Sequence, residues 1–346
     1  MVFECPLPIQ DHDTITLGHG GGGKLSQKLV EQLFVPALAN EYLEELHDGA
    51  IFPSDGGQMA MSTDSFVVRP RFFPGGDIGS LAVHGTVNDL AMCGARPRHL
   101  SLALILEEGL LLTELRDIID SIRQACDESE ITVITGDTKV VERGSGDGIY
   151  INTTGVGALM PEVQLSPRRV RPGDKVIVSG SIGRHGMAIM SVREGLEFES
   201  TITSDSAALW PLVEGVLSVS QRRMHVMRDA TRGGVASAIN EIAQAAKVGV
   251  DLHEPAIPVD APVRAACEIL GLDPLYVANE GRFVAFVSPE LADEVVDLMR
   301  AHPLGQDAAV IGKVVEEHPG VVRMRSGFGG SRVVDMISGE QLPRIC

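Results

Sequence analysis

The sequence predicts two successive α/β (α+β) domains followed by a short tail, at residues 1–166, 167–336 and 337–346. Three observations carry this reading. The chain has 346 residues, enough for two separate hydrophobic cores. Strand-like and helix-like periodicities are mixed in both halves, which excludes all-helical and all-strand folds. Between the halves lies Ser166–Gly173, a basic, turn-prone stretch with two prolines, as expected of a linker.

In chain order, Thr14–Leu17 alternates polar and apolar residues and reads as a short strand. Leu25, Leu29 and Leu33 follow a helical spacing that Pro36 should end. Met59–Thr63 is strand-like and leads to Asp64, and Ile78–Met92 reads as a helix containing Asn88 and Asp89. Leu100–Leu106 reads as a buried strand. Thr113–Cys126 is an amphipathic helix with Leu115, Ile118, Ile119, Ile122 and Cys126 on one face and Thr113 as its cap. Ile131–Thr135 and Ile149–Val156 complete the first half as strands. In the second half the expected strands are Lys175–Ser179, Gly249–Leu252, Arg282–Val287, Ala309–Val314, Val321–Met324 and Arg332–Met336. The expected helices are Gly186–Arg193, Gly234–Ala246, Pro262–Leu270 and Leu291–His302. The last ten residues, ISGEQLPRIC, read as a flexible tail.

Composition narrows the function. The net charge of -18 repels phosphate backbones and argues against nucleic-acid binding; a bound nucleotide would need divalent cations between itself and the carboxylates. No apolar run is long enough to span a membrane, and the N-terminus lacks the basic start and apolar core of a signal peptide. The expected location is therefore cytoplasmic. Cys5, Cys93, Cys126, Cys267 and Cys346 are scattered and never spaced C-x-x-C, which argues against a disulfide framework or a zinc site. Cys93, Cys126 and Cys267 lie in apolar or helical patterns, as small core residues do.

Five features carry chemistry. The loop Gly18–Lys24 holds five glycines and matches G-x-x-x-x-G-K, but Leu25 stands where a phosphate-binding loop needs Ser or Thr for magnesium. It is either a plain turn or a cradle of backbone N–H groups for an anion. Asp64, Asp89, Asp137 and Asp229 punctuate apolar segments. Singly each could be a cap or turn residue; together they could hold Mg²⁺ against phosphate oxygens. Arg228-Asp-Ala-Thr-Arg-Gly-Gly234 leads into a helix whose N-terminus favours negative charge. Asn279-Glu-Gly281 presents Glu280 at a strand edge, as a functional carboxylate or a solvated one. Cys346 ends the sequence on an arm that could reach both an outside donor and the chain's own site, unless it is an incidental last residue.

Together these segments resemble the HypE family of hydrogenase maturation proteins. The resemblance runs over Gly18–Lys24, Ser62–Ser65, Phe72–Gly76, Thr86–Leu90, Val133–Val141, Asp229–Gly234, Asn279–Gly281 and Pro343-Arg-Ile-Cys346. The terminal PRIC is the most specific part. The rest is shared with a superfamily that includes aminoimidazole ribonucleotide synthetase, selenophosphate synthetase and thiamine monophosphate kinase. The resemblance implies a two-domain ATP-binding fold, a homodimer whose N-terminal domains pair into a β-barrel, and ATP in a cleft between domains. It implies loading of Cys346 with a carbamoyl group by HypF, ATP-dependent dehydration to a thiocyanate, and delivery of cyanide to iron on a HypC–HypD complex. The expected ATP contacts are Gly20, Gly21, Gly22, Lys24, Asp64, Asn88, Asp89, Asp137, Thr138, Arg232, Gly233 and Gly234. Asp64, Asp89, Asp137 and Asp229 are expected to hold Mg²⁺; Glu280 is the candidate base, and Lys139 the group that steadies phosphate or the carbamoyl oxygen. Two other readings stand beside this: an enzyme of the same superfamily with a free small substrate, for which Cys346 would be dispensable, and a non-catalytic carrier that merely ferries the carbamoyl group.

Overall fold

The computed structural model describes residues 19, 23–38, 40, 42, 47–54, 56–195, 202–337, 342 and 344–346. The strand expected at Thr14–Leu17, Cys5 and the glycines Gly20–Gly22 lie outside them. Helix α1 (Lys24–Leu29) runs through a π-helical turn (Val30–Phe34) into α2 (Val35–Leu38). Pro36 lies inside that last segment, directly after the π-helical turn, so it does not end the helix as expected.

The first sheet contains β1 (Ala50–Ser54) and β2 (Gly57–Phe66), followed by a short hairpin of β3 (Phe72–Phe73) and β4 (Gly76–Asp77) that forms its own small unit. Helix α3 (Ile78–Met92), β5 (Ala95–Glu107), α4 (Leu112–Glu128), β6 (Thr132–Val141) and β7 (Ile149–Leu159) complete the domain. The strand order is β1-β2-β7-β5-β6, with β5 and β6 parallel and the other pairs antiparallel. Leu81 and Val87 of α3 and Ile118 and Ile122 of α4 share a core with Leu100 and Ile151 of the sheet. Asp77 caps α3, accepting from the backbone N–H of Gly79 at 2.6 Å and of Ser80 at 3.0 Å. Helix α4 starts at Leu112 with Leu111 before it, so Thr113 is not its cap.

The second sheet follows: β8 (Lys175–Val178), α5 (Arg184–Arg193), α6 (Trp210–Ser220), β9 (Met224–Asp229), α7 (Gly234–Ala246), β10 (Gly249–His253) and α8 (Ala261–Leu270). Then come β11 (Phe283–Val287), α9 (Ala292–Ala301), β12 (Ala309–Val315), β13 (Val322–Arg325) and β14 (Ser331–Val334). The order is β14-β13-β10-β12-β8-β11-β9. Only β10 and β13 pair in parallel among the described strands of this sheet. Strand β11 shows why its sequence is apolar without alternation. Val284 and Phe286 pack with Ile239 and Ile242 of α7, while Phe283, Ala285 and Val287 pack with Val213 of α6 and Val295 of α9. Both faces of a central strand are covered, so both must be apolar.

Helix α3 is buried on nearly every side because the second domain closes over it. Asn88 is the polar rivet of that seam. Its amide donates to the carbonyls of Ala207 at 3.0 Å and Glu280 at 3.1 Å, and its oxygen accepts from the N–H of Leu209 at 2.8 Å. The side chain is thus spent on joining the domains and is not turned to a ligand, contrary to the expectation for it. Asn88→Ala should cost on the order of 3 kcal/mol, since it orphans three backbone groups of the second domain at the seam; a denaturant midpoint within error of the parent would refute that role.

Candidate active site

The seam between the domains is where the chemistry-bearing residues meet. Asp64 comes from β2, Gly85 and Asp89 from α3, Asp229 from the end of β9, and Thr231 and Arg232 from the turn that follows. With Asp48, Glu280 and Cys346 they line one cavity of about 240 Å³. A side chain at Gly85 would meet the Phe66 ring at 2.9 Å, so glycine keeps this wall open. A second cavity of about 320 Å³ shares Asp48, Asp229, Thr231 and Arg232 and reaches the N-terminal end of α7 at Gly234, Ser237 and Ala238. A third of about 390 Å³ continues from Arg228 and Glu241 to Ser26, Gln27 and Val30 of the first helical segment. The three form a row from the Cys346 thiol to the N-terminal helix. Gly233 and Gly234 make the turn into α7 with φ of 77° and 62°; a Cβ on Gly234 would stand 2.4 Å from the Leu275 carbonyl oxygen.

The electrostatics of the cavity are dominated by crowded acid groups. Burial, and then the neighbouring carboxylates, push Asp89 and Asp229 well above the usual carboxyl range. Ser62 donates to Asp89 at 2.5 Å and offsets this only in part. Glu280, 3% exposed, is raised well above its ordinary value by burial and then by Asp229 and Asp205. Its Oε1 has no hydrogen-bond partner among the described residues. Asp64 is raised as well, by burial against the pull of Arg232. Asp48 differs: burial pushes it up, but the Arg228 guanidinium, 3.0 Å away, and His47 outweigh that and hold it low.

The tail expected to be flexible is docked at Arg344–Cys346. A main-chain oxygen of Cys346 accepts from the N–H of Val67 at 3.2 Å, and the Arg344 carbonyl from the N–H of Arg69 at 3.1 Å, so the tail runs alongside the chain that leaves β2. Arg344 also pairs with Asp147 at 2.7 Å and donates to the Val67 carbonyl at 3.1 Å. Ile345 is buried. Inside the cavity burial, and then Glu280, Asp64 and Asp229, push the Cys346 thiol up to about 12, against the pull of Arg232. Cys93, Cys126 and Cys267 are buried in the core, as expected for small apolar residues.

Of the expected site residues, Asp64, Asp89, Asp229, Arg232, Glu280 and Cys346 converge here, Gly234 lines the adjoining cavity, and Gly233 precedes it in the turn into α7. Asp137, Thr138 and Lys139 do not. They lie within β6, which extends past the strand end expected at Thr135, on its exposed edge, where Lys139 donates to Asp137 at 2.5 Å. Lys24 is ion-paired with Asp335 and lines none of these cavities. The sequence reading missed Asp48, Arg228 as an ion-pair partner, and His185 and Asp205. Asp48 follows no motif, and the Ser204–Asp205 stretch looks like an ordinary polar turn.

Among the described residues no three His, Cys, Asp or Glu side chains stand as a preformed ligand set. The chemistry of Asp64, Asp89 and Asp229 nonetheless fits a hard divalent cation: these are oxygen donors whose mutual repulsion a cation would relieve. The raised carboxyls also fix a sign. Each prefers its proton in the folded chain, which stabilises the fold below the ordinary carboxyl value of 3.8, and this contribution is lost as pH climbs through the raised values. Asp89→Asn should therefore melt higher than the parent, with a gap that widens as pH rises above 3.8 and narrows when Mg²⁺ is added to the parent. A gap that stays constant with pH would show that the repulsion is absent.

Comparison with known proteins agrees with this geometry. The family of AIR synthase related proteins matches twice, its N-terminal domain at residues 46–159 and its C-terminal domain at residues 171–325. The carbamoyl dehydratase HypE of Azotobacter vinelandii is 53% identical over 333 residues, spanning 96% of this chain and 97% of its own. A crystal structure of HypE in complex with ATP is 46% identical with a TM-score of 0.81, over 96% of this chain and 100% of that one. A chain of a HypE–HypF complex is 43% identical with a TM-score of 0.85, over 89% of this chain and 99% of that one. With the two-domain fold, the acidic seam and the terminal cysteine already in place, these likenesses establish that the chain belongs to the HypE family of carbamoyl dehydratases.

Proposed function

We propose that the chain converts a carbamoyl group on its own Cys346 sulfur into a nitrile, with ATP as phosphoryl donor, during hydrogenase maturation. One observation carries this reading: the Cys346 thiol lies in the same small cavity as Glu280, the acidic cluster and Arg232. An enzyme acting on a free substrate would have no use for its own tail in that place.

The reaction removes the elements of water from S–C(=O)–NH₂ to leave S–C≡N. Hydroxide leaves poorly, so the oxygen must first carry the γ-phosphoryl group of ATP, and phosphate then departs as the nitrogen loses its protons. Glu280 is placed to take such a proton: a buried carboxyl of raised pKa is a strong base once ionised, and Arg232 beside it favours that form. Asp64, Asp89 and Asp229 would hold Mg²⁺, which supplies charge neutralisation at the phosphate oxygens. The N-terminal end of α7 at Gly233–Gly234 suits the nucleotide phosphates. The narrow cavity keeps water from an activated intermediate.

The docked thiol, raised to about 12, is a poor nucleophile, so loading belongs to an undocked tail. The HypE–HypF complex of a relative supports HypF as the loading partner, and a HypC–HypD complex is the expected acceptor of cyanide. Among the described residues no helix is long and apolar enough to cross a membrane, in keeping with a cytoplasmic site of action. A homodimer is supported by exposed apolar side chains on the first sheet, Met61, Ile105, Ile134 and Val140, which a second copy would cover. The same pairing would give the stranded Asp137 and Lys139 a site to act on.

Peptide mass spectrometry tests the chemistry. After carbamoylation the label should sit on the C-terminal peptide, and ATP should lower that peptide by the mass of one water. Cys346→Ala should abolish labelling yet keep ATP binding, whereas Glu280→Gln should load normally and lose on the order of 10²-fold or more in dehydration. Label on Cys93, Cys126 or Cys267 would sink the mechanism. For the assembly, light scattering should give a dimer mass that Ile134→Asp with Val140→Asp reduces to a monomer. A parent that is already monomeric at micromolar concentration removes the proposal.

A further inference from the structure

The proposed reaction needs a tail that stops at one place relative to Glu280, and a set of contacts outside the cavity addresses that need. Burial lowers the affinity of His185 for a second proton, so its ring is neutral and carries one N–H. Nε2 lies 2.8 Å from the Ile345 carbonyl oxygen, which can only accept, so the hydrogen is there. Nδ1 then accepts from the Ser204 hydroxyl at 2.8 Å. The Ser204 oxygen in turn takes the N–H of Ser206 at 3.0 Å, and the Ser204 N–H donates to the Pro74 carbonyl at 2.7 Å. Phe73 meets the His185 ring edge to face at 5.4 Å. The Phe72–Gly76 segment, which the reaction itself leaves unexplained, is thus the seat of Ser204; a Cβ on Gly75 would come within 2.9 Å of the Ser204 nitrogen.

The next residue ties this to the base. Asp205 is buried, and its Oδ1 accepts from the N–H of His185 at 3.1 Å and of Glu280 at 3.3 Å. Its Oδ2 accepts from the N–H of Gly281 at 3.3 Å. A Cβ on Gly281 would lie 1.8 Å from the Asp205 carbonyl oxygen, so the approach of the two segments requires glycine. One carboxylate therefore grips the backbone of the candidate base and the backbone of the histidine that holds the tail.

We propose that Ser204, Asp205 and His185 form a positioning strap that registers the docked tail against Glu280. This rests on the dehydration reading above and adds to it which residues set the distance. The tail is held through the Ile345 carbonyl, one residue before the thiol, and not through a side chain. The strap touches no reacting atom, so its loss should change how often the tail is docked and how well it is placed, and leave MgATP affinity alone.

The test has two readouts. In the unloaded full-length protein, iodoacetamide alkylation of Cys346, followed on the C-terminal peptide, should be about tenfold faster in His185→Phe, which keeps the ring but removes the donor. His185→Gln, whose amide can place an N–H near the Nε2 position, should restore most of the protection. In protein carbamoylated at Cys346, His185→Phe should slow single-turnover dehydration at saturating MgATP by a similar factor with unchanged nucleotide affinity. Ser204→Ala, which leaves the imidazole and removes only its Nδ1 partner, should move both readouts the same way and carries the test if His185→Phe fails to fold. Unchanged alkylation in His185→Phe and Ser204→Ala overturns the strap. If the parent is carbamoylated but never loses water, the dehydration reading falls instead, and alkylation still decides whether the strap holds the tail.

Discussion

Mutual repulsion among Asp64, Asp89, Asp229 and Glu280 is the constraint around which the molecule is arranged. Left to themselves, buried carboxylates of this number separate or take up protons. Here each is delivered by a different element, and the elements are held by apolar packing and backbone pairing that repulsion cannot undo. Helix α3 carries Asp89 in a core of Leu81, Val83 and Val87, β2 carries Asp64 through its ladder with β7, and β9 carries Asp229 at the edge of the second sheet. The unfavourable charge is stored by the two cores. A divalent cation is the kind of ligand that would relieve it, so the stability withheld by that repulsion would reappear as affinity for the cation.

The same burial acts on the thiol in the opposite functional sense. A cysteine that must accept a carbamoyl group needs thiolate character, while one that carries an activated group needs shelter from water. No single location satisfies both. The docked position fails the first, since a thiol raised to about 12 has almost no thiolate at neutral pH, and the burial that raises it serves the second. The contacts that hold the tail are suited to reversal. They include backbone pairing at Val67 and Arg69, the Arg344–Asp147 ion pair, the Arg193 guanidinium on the Arg344 carbonyl and one buried carbonyl, with Ile345 as a buried apolar anchor.

Much of this was legible in the sequence, and the failures have physical causes. The turn at Arg232-Gly-Gly234 and the helix after it could be read because the glycines and the apolar periodicity agree. Strand β11 was legible as an apolar run. Strand β9 and helix α6 were not: Met224–Asp229 mixes His225, Arg228 and Asp229 into a strand that is half edge and half site, and Trp210–Ser220 contains valines and Gly215 that weaken a helical pattern. Asp137 was misplaced because a Gly-Asp-Thr sequence reads as a turn, whereas here it continues an edge strand. Asn88 was read as a ligand-facing amide, but an amide beside a site is equally suited to bridging two backbones. Which role it takes depends on where the second domain lands.

That last point generalises to the strap. Asp205 matches no catalytic pattern, because its partners are backbone groups of segments roughly twenty and seventy-five residues away in the chain. Backbone partners leave no complementary residue type to look for. A carboxylate that collects N–H groups from Glu280, Gly281 and His185 is visible only when the three are seen together. Such residues act on geometry and not on bonds. In the proposed strap they would bring the Cys346 sulfur and Glu280 together with the accuracy that proton transfer demands, for which a misplacement of about 1 Å is already costly.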